Sequence, residues 1–364
     1  MKFSIEKEQI LEALQKVQSI VGQRTTLPIL SNVLLEADNN KLTLTTTDME
    51  VSVRTGIEAD IQRNGATTLP ARRFFSICRD LPNHLVEIEV GSDDVAEVTS
   101  GSYNCRLEGL SHDDFPPMPT FEESCSYGIK QGILKDILQK TSYASSTDES
   151  RTILNGSLMS FRDNKLTVVC TDGRRLALVE QEMDNPDAAE VDIVVPTKTV
   201  NELIKTLDDE GEAVVKTSAT QVAFEFGNIL VISKLIDGTY PNYRQVIPSQ
   251  CEERIAVDRE MLQSAIRRVS LMLDDQAASV KIHITENRME LITSSPEIGE
   301  SHESVPIKYT GKDIKIAFNP AFLSAPLKHL DSDEIYLELS DELSPGVIKS
   351  NVPFLYVIMP IRVS

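Results

Sequence analysis

The amino-acid sequence predicts an α+β protein of three tandem domains of one design, each with two helices packed on antiparallel sheets. Three observations carry that reading. Leu14-Gln15-Lys16-Val17, Leu138-Gln139-Lys140-Thr141 and Ile266-Arg267-Arg268-Val269 sit inside similar amphipathic stretches, 124 and 128 residues apart. Pro70…Leu81, Pro196…Leu207 and Asn319…Leu330 repeat a second pattern, with apolar residues four, eight and eleven places after the first. Phe115-Pro116, Tyr240-Pro241 and Met359-Pro360 close the three copies. The offset from first marker to second is 56, 58 and 53 residues, and from second to third 46, 45 and 41. A period of this size is that of a whole domain, not of a solenoid repeat. The predicted domains are 1–120, 127–248 and 252–364.

Within the first copy, Ile10, Leu11, Leu14 and Val17 fall on one face at helical periodicity, which predicts a helix over 7–17. Alternating residues on either side of Asp38-Asn39-Asn40 read as a hairpin, and Asp163-Asn164 and Glu286-Asn287 mark the same turn in the other copies. The corresponding first helices fall at 130–141 and 259–270, and the second helices at 72–81, 197–207 and 319–330. In the third copy Asn319 can cap its helix, with Pro320 as the first helical residue, where a missing N–H costs nothing. Alternating segments at 86–90, 213–216 and 335–339 add further strands, about eight in each copy. Residues 115–124 and 247–250 read as linkers.

The chain has 364 residues, 41% of them hydrophobic, enough for each copy to bury its own core. No run approaches the ~18–20 apolar residues of a membrane span. The first eight residues, MKFSIEKE, lack the apolar core of a signal peptide, so the expectation is a cytoplasmic protein that does not touch the membrane. Cys78, Cys105, Cys125, Cys170 and Cys251 are dispersed and read as reduced thiols. The five histidines form no metal-ligand pair, and no cofactor motif occurs; neither metal nor cofactor is expected.

A net charge of −20 argues at first against nucleic acid, but the six helical stretches carry +8 and leave −28 on everything else. Acidic strands and loops beside neutral-to-basic helices imply two electrostatically distinct surfaces. Tandem domains of one shape tend to reuse one head-to-tail contact, which closes into a ring or runs on as a filament. If the helices face inward, a ring has a basic lining and an acidic outer wall. Such a lining contacts phosphates without reading bases. The lack of any Trp and of a base-stacking motif speaks against single-strand binding.

Seven stretches then carry a resemblance along the whole chain: Thr26-Leu27-Pro28-Ile29-Leu30, residues 65–75 (GATTLPARRFF), Leu154-Asn155-Gly156, Thr171-Asp172-Gly173-Arg174-Arg175-Leu176, residues 233–238 (SKLIDG), Tyr240-Pro241-Asn242-Tyr243 and residues 356–362 (YVIMPIR). The sequence resembles the bacterial β sliding clamps, the processivity subunits of DNA polymerase III. The resemblance implies three tandem DNA-clamp domains forming half of a ring, and a head-to-tail homodimer around double-stranded DNA that holds polymerase to template without catalysis. The partners it implies are the replicative polymerase alpha subunit, a separate ATP-driven clamp loader and other clamp-binding-motif proteins of replication and repair.

Site residues follow from the same resemblance. Arg24, Arg72, Arg73, Arg151 and Lys198 match DNA-channel positions. Lys16, Lys140, Arg267 and Arg268 lie on the same helices and read equally as channel cations or as solvated charges. Leu154, Thr171, Gly173, Arg174, Arg175, Leu176, Pro241, Val246, Val357 and Met359 would shape one apolar subsite of a partner-peptide groove. Asn319, Phe322, Leu343, Pro345 and Ile361 would extend it, with Pro360 and Arg362 in the closing stretch. Taken alone, Gly173 and its arginines read as a turn with solvated charges, and the closing stretch as a last strand. Arg174 stands where a histidine is commoner and Gln245 where an arginine is, which puts peptide preference at stake. For the dimer, Cys105 and Leu107 match the edge of domain one and Leu271 and Met272 their counterparts in domain three, while Glu297, Glu300 and Glu303 could face arginines across the joint. An aromatic is usual at Cys105, so a smaller contact and a looser dimer are expected.

Two rival readings fit the same residues. Asp113-Asp114, Asp208-Asp209 and Asp274-Asp275 are paired carboxylates, but no His or Lys stands at catalytic spacing and no nucleotide-binding loop is present. A filament-forming repeat protein without DNA satisfies the same head-to-tail logic.

Overall fold

The computed structural model describes residues 1–22, 27–82, 84–122, 125–184, 189–273 and 279–362. Arg24, Thr26, Ser124 and the Asp274-Asp275 pair lie outside the described residues. In the first repeat, β1 (Lys2–Glu6) leads into α1 (Lys7–Val17), followed by β2 (Asn32–Asp38), β3 (Lys41–Thr47), β4 (Val51–Glu58), β5 (Asp60–Arg63) and β6 (Gly65–Pro70). Helix α2 (Ala71–Asp80) then precedes β7 (Leu85–Val90), β8 (Val95–Ser100) and β9 (Tyr103–Glu108). The second repeat runs β10 (Cys125–Lys130), α3 (Gln131–Thr141), β11 (Gly156–Arg162), β12 (Lys165–Thr171), β13 (Arg175–Glu182) and β14 (Val191–Pro196). It ends with α4 (Thr197–Thr206), β15 (Glu212–Thr217), β16 (Gln221–Phe226) and β17 (Ile229–Lys234). The third has β18 (Glu253–Asp258), α5 (Arg259–Val269), β19 (Val280–Thr285), β20 (Arg288–Ser295), β21 (Gly299–Pro306) and β22 (Ile314–Phe318). After α6 (Pro320–Leu327) come β23 (Glu334–Leu339), β24 (Gly346–Lys349) and β25 (Phe354–Ile358).

Each repeat is thus the same ten-element pattern, with β5 as an addition to the first. The helices form where the periodicity predicts them. α1 buries Ile10, Ala13, Leu14 and Val17, with Leu11 on the half-buried flank. α5 is capped by Asp258, whose Oδ1 accepts from the Met261 N–H at 2.8 Å, and it buries Leu262, Ala265, Ile266 and Val269. Asn319 caps α6 as expected, its Oδ1 accepting from the N–H groups of Ala321 at 2.9 Å and Phe322 at 3.3 Å, with Pro320 in the first turn. The repeated hairpins turn on left-handed residues: Asn39 and Asn40 at φ 45° and 63°, Asp163 and Asn164 at 51° and 55°, and Asn287 at 56°. Asn and Asp tolerate that region better than other side chains do, and two such residues match the twist of the strands they join.

All strand pairing is antiparallel. Four sheets result, in the orders β5-β1-β7-β8-β9, β10-β15-β16-β17-β4-β3-β2-β6, β14-β11-β12-β13-β25-β24-β23-β18 and β21-β20-β19-β22. The two eight-stranded sheets each cross a repeat boundary. β17 of repeat two pairs with β4 of repeat one, from Ile229 opposite Thr55 to Ser233 opposite Val51. β25 of repeat three pairs with β13 of repeat two, from Arg175 opposite Ile358 to Val179 opposite Phe354. The chain accordingly divides into two compact units that do not follow the repeats: residues 1–135 with 198–235, and residues 136–197 with 236–364. The first unit is built on Phe3, Leu14, Leu35, Leu44, Phe74 and Phe224, the second on Phe318, Leu323, Leu337 and Tyr356. Among the described residues no helix is long and apolar enough to cross a membrane.

Candidate functional site

The loop between β12 and β13 is held by its own side chains. Asp172 Oδ1 accepts from the N–H groups of Arg174 at 2.9 Å and Arg175 at 3.0 Å, and its Oδ2 accepts from Arg175 Nε at 3.1 Å. The Thr171 hydroxyl donates to the Arg175 carbonyl at 2.6 Å and accepts from the Gly173 N–H at 3.1 Å. Gly173 itself lies at φ 85°. The loop's outer edge is pinned to the last strand's continuation, because the Met359 N–H donates to the Arg174 carbonyl at 2.9 Å.

Beneath this loop Leu154, Leu176 and Val357 are buried in one cluster with Leu158, Val169, Leu178, Val194 and Tyr240. Val246 and Met359 stand exposed at 49% and 43%, and Pro241 and Arg174 are exposed as well. An apolar floor with adaptable, solvent-facing Met and Val side chains suits a short apolar peptide. The Arg175 guanidinium is not a solvated charge: it lies 4.4 Å from the centre of the Phe322 ring and is ion-paired to Asp172. Phe322 and Pro345 are half-buried, whereas the Asn319 oxygen is taken up by its helix cap. Pro360 is half-buried, and the Ile361 N–H donates to the Ala317 carbonyl at 2.7 Å. That bond lays the closing stretch beside β22. Leu343, Ile361 and Arg362 line a cleft of about 660 Å³ against the face of β19 and β22.

Sequence reasoning missed two aromatic contributors. Tyr143 stacks on His329 with ring centres 4.8 Å apart and 9° between planes, and it lies 6.0 Å from Tyr356. Burial pushes the Tyr143 hydroxyl up in pKa, and desolvation together with the neighbouring Lys328 charge brings the His329 imidazole down. Neither residue has an aromatic counterpart in the other repeats, so the repeat comparison carried no signal for them. Tyr240, quoted only as part of a marker, closes the cluster and donates to the Val169 carbonyl at 3.4 Å.

The candidate DNA cations divide sharply. Arg73 is exposed and makes no ion pair among the described residues; Arg72 is exposed and donates to the Val21 carbonyl at 2.9 Å. Lys198 is ion-paired to Asp48, and Arg151 lies 3.7 Å from Asp148 while donating to the Asp172 carbonyl at 3.3 Å. The four side chains left open by the sequence divide in the same way between paired and unpaired. Lys16 pairs with Glu12 at 2.7 Å, Lys140 is buried against Asp136 at 2.6 Å, and Arg268 pairs with Glu303. Arg267 is exposed with no ion pair among the described residues. The basic balance of the helices is therefore largely taken up by neighbouring acids.

The dimer candidates lie at sheet edges. β9 is the last strand of its sheet, with Leu107 buried and Cys105 half-buried. β21, the edge of the third repeat's sheet, carries Glu300 and Glu303; Leu271 and Met272, in the turn after α5, are 75% and 37% exposed. Glu303 is committed to Arg268 of its own chain and Glu300 to His302 at 3.0 Å, while Glu297 is exposed.

Comparison with known proteins gives one consistent result. Sequence models for the N-terminal, central and C-terminal domains of the DNA polymerase III beta subunit match residues 1–119, 128–242 and 244–362. The beta sliding clamp of Chlamydia muridarum is 35% identical over 362 residues, covering 100% of this chain and 99% of that protein. The Vibrio cholerae beta sliding clamp is 31% identical over 367 residues, with full coverage of both. Among solved structures, the sliding clamp of Bartonella birtlesii bound to griselimycin superposes with a TM-score of 0.94 at 33% identity, and that of Bacillus subtilis with 0.94 at 31%, each covering 100% of both chains. With three clamp domains in order and a fold shared end to end, the chain belongs to the DNA polymerase III beta subunit family, the non-catalytic DNA sliding clamps of bacterial replication.

Proposed function

We propose that two copies of this chain join head to tail into a closed ring around duplex DNA, in the cytoplasm, and that the groove beneath the 172–174 loop receives short apolar segments of client proteins. The clients are the replicative polymerase alpha subunit, the clamp loader and other proteins of replication and repair. The three repeats, 1–120, 127–248 and 252–364, are the domains of that ring.

The observation that carries the reading is the repeated strand junction. β4, β13 and β21 are counterparts, as are β9, β17 and β25. β17 pairs with β4 and β25 with β13, and among the described residues no strand lies on the outer edge of β9 or of β21. The same rule pairs β9 of one copy with β21 of the next, which is the heterologous contact a closed assembly needs and which covers these two edges. Arg72 and Arg73, with Arg24, Arg151 and Lys198, are the phosphate-facing cations of this reading, and their contact is with the backbone of DNA, not its bases.

Retention on DNA of different topology tests it. The protein is loaded with a clamp loader on a nicked circular plasmid, bound protein is isolated by gel filtration, and the plasmid is cut once. The expected result is retention on circles and release after linearisation. Retention on both forms would mean chemical affinity for DNA and would overturn the ring.

A further inference from the structure

We propose that the cleft on the third repeat is a second subsite, which takes an acidic flank of the same peptides whose apolar residues enter the groove. The proposal rests on the groove reading above. Along β19 the side chains alternate, with Ile282 and Ile284 buried in the core and Lys281 and His283 on the opposite face. Across from them on β22, Lys315 sits opposite His283 and Ala317 opposite Lys281. The bond from Ile361 to Ala317 brings Arg362 to the rim of this face.

Three cations, Lys281, Lys315 and Arg362, therefore line one cleft, all exposed and none in an ion pair among the described residues. Most candidate channel cations, by contrast, are neutralised by a neighbouring acid. Glu342 lines the cleft and Glu290 lies 3.8 Å from His283 Nδ1 on the neighbouring strand, while the His283 Nε2 is shielded from solvent without a hydrogen-bond partner. On a chain of net charge −20 an acidic segment is repelled nearly everywhere, so a concentration of unpaired positive charge selects for it locally. Leu343 and Ile361 give the cleft apolar walls, and both also belong to the proposed groove. One extended peptide can therefore span both sites, which raises affinity without a second partner.

The test uses fluorescein-labelled peptides sharing one apolar core, Ser-Leu-Leu-Phe-Ser, and carrying three Asp or three Asn residues at one end or the other. Binding to the full-length protein is read by fluorescence anisotropy. An Asp flank at one end is expected to tighten binding about tenfold at low salt, an advantage lost at high salt. It should also vanish in Lys281→Gln/Lys315→Gln, which leaves binding of the Asn-flanked peptide unchanged. Equal binding of Asp and Asn peptides overturns the inference and leaves the groove standing. An advantage that survives in the double variant overturns it too, because the charge would then be read elsewhere. Binding of none of the peptides defeats the groove reading and this proposal with it. If an oligo-dT strand binds in a Lys281- and Lys315-dependent manner while the Asp flank adds nothing, the cleft is a nucleic-acid site and the acidic-peptide assignment fails.

Discussion

The Tyr356 hydroxyl donates to the Phe322 carbonyl at 2.8 Å, and that carbonyl is the one Pro326 leaves without a helical N–H. Pro326 stands four residues after Phe322 inside α6, where a proline removes an i→i−4 bond. Tyr356, fully buried on β25, supplies the missing donor from another element. Tyr356→Phe is expected to destabilise the protein by about 1–3 kcal/mol by orphaning this acceptor. Pro326→Ala restores a helical donor, so the same tyrosine substitution should cost less in that background. A denaturation double-mutant cycle measures the coupling; strictly additive effects would show that the tyrosine does not stand in for the helix bond.

Leu271 and Met272 are exposed apolar side chains next to the free-edge sheet of the third repeat. Because both lie outside the buried core, Leu271→Glu/Met272→Glu is expected to leave the far-ultraviolet circular dichroism unchanged while shifting the proposed dimer toward monomer. Sedimentation velocity over a concentration series reads this directly. The half-buried Cys105 on β9 makes the reverse prediction: Cys105→Phe adds apolar contact area and should lower the dimer dissociation constant by about tenfold.

Lys198 cannot offer its full charge to phosphate while paired to Asp48. The Asp48 Oδ1 also accepts from the N–H groups of Glu50 at 3.0 Å and Val51 at 2.8 Å, an acceptor role that an asparagine preserves. Asp48→Asn should therefore keep the loop and release the cation. The slope of log K against log salt for duplex binding is expected to steepen by about one, whereas Arg73→Ala should flatten it by about one. An unchanged slope in Asp48→Asn would place Lys198 away from the DNA.

All six helices and the three hairpins were legible, because their signals are local: apolar spacing, a capping Asn and left-handed Asn or Asp turns. The fusion of repeats through β17 with β4 and β25 with β13 was not, since edge pairing depends on which strands meet in space. Gly173 illustrates a subtler limit. Of the first two copies only the second has glycine there, yet Met49 takes φ 74° at the same place in the first. The bonds are the same: Met49 N–H to Thr47 Oγ1 at 3.0 Å, Gly173 N–H to Thr171 Oγ1 at 3.1 Å. The Thr-Asp pair sets this loop, and the glycine merely removes the strain. What distinguishes the second copy is Arg175, which reaches Phe322, a contact between repeats that no comparison of aligned positions discloses.

Glu202 gives the clearest pH dependence. It is 2% exposed on α4, with its Oε1 accepting from the Ser19 hydroxyl and Lys205 3.9 Å away. Burial pushes its carboxyl above the usual range, against the opposing pull of Ser19, Lys205 and Lys198. A carboxyl whose folded pKa is raised holds its proton more tightly in the native state, so stability falls as pH rises from the unfolded value, about 4.3, through the folded one. Above that window the ionised side chain is a standing cost. Glu202→Gln keeps an acceptor for Ser19 and removes the charge, so it is expected to raise Tm by roughly 1–3 °C at pH 7. The gain should shrink as pH is lowered toward the unfolded pKa, where the native glutamate is itself neutral. Thermal unfolding of both proteins across that range is the check. A variant less stable than the parent at pH 7 would mean that the two lysines outweigh the burial, and that this buried carboxylate stabilises the protein in its charged form.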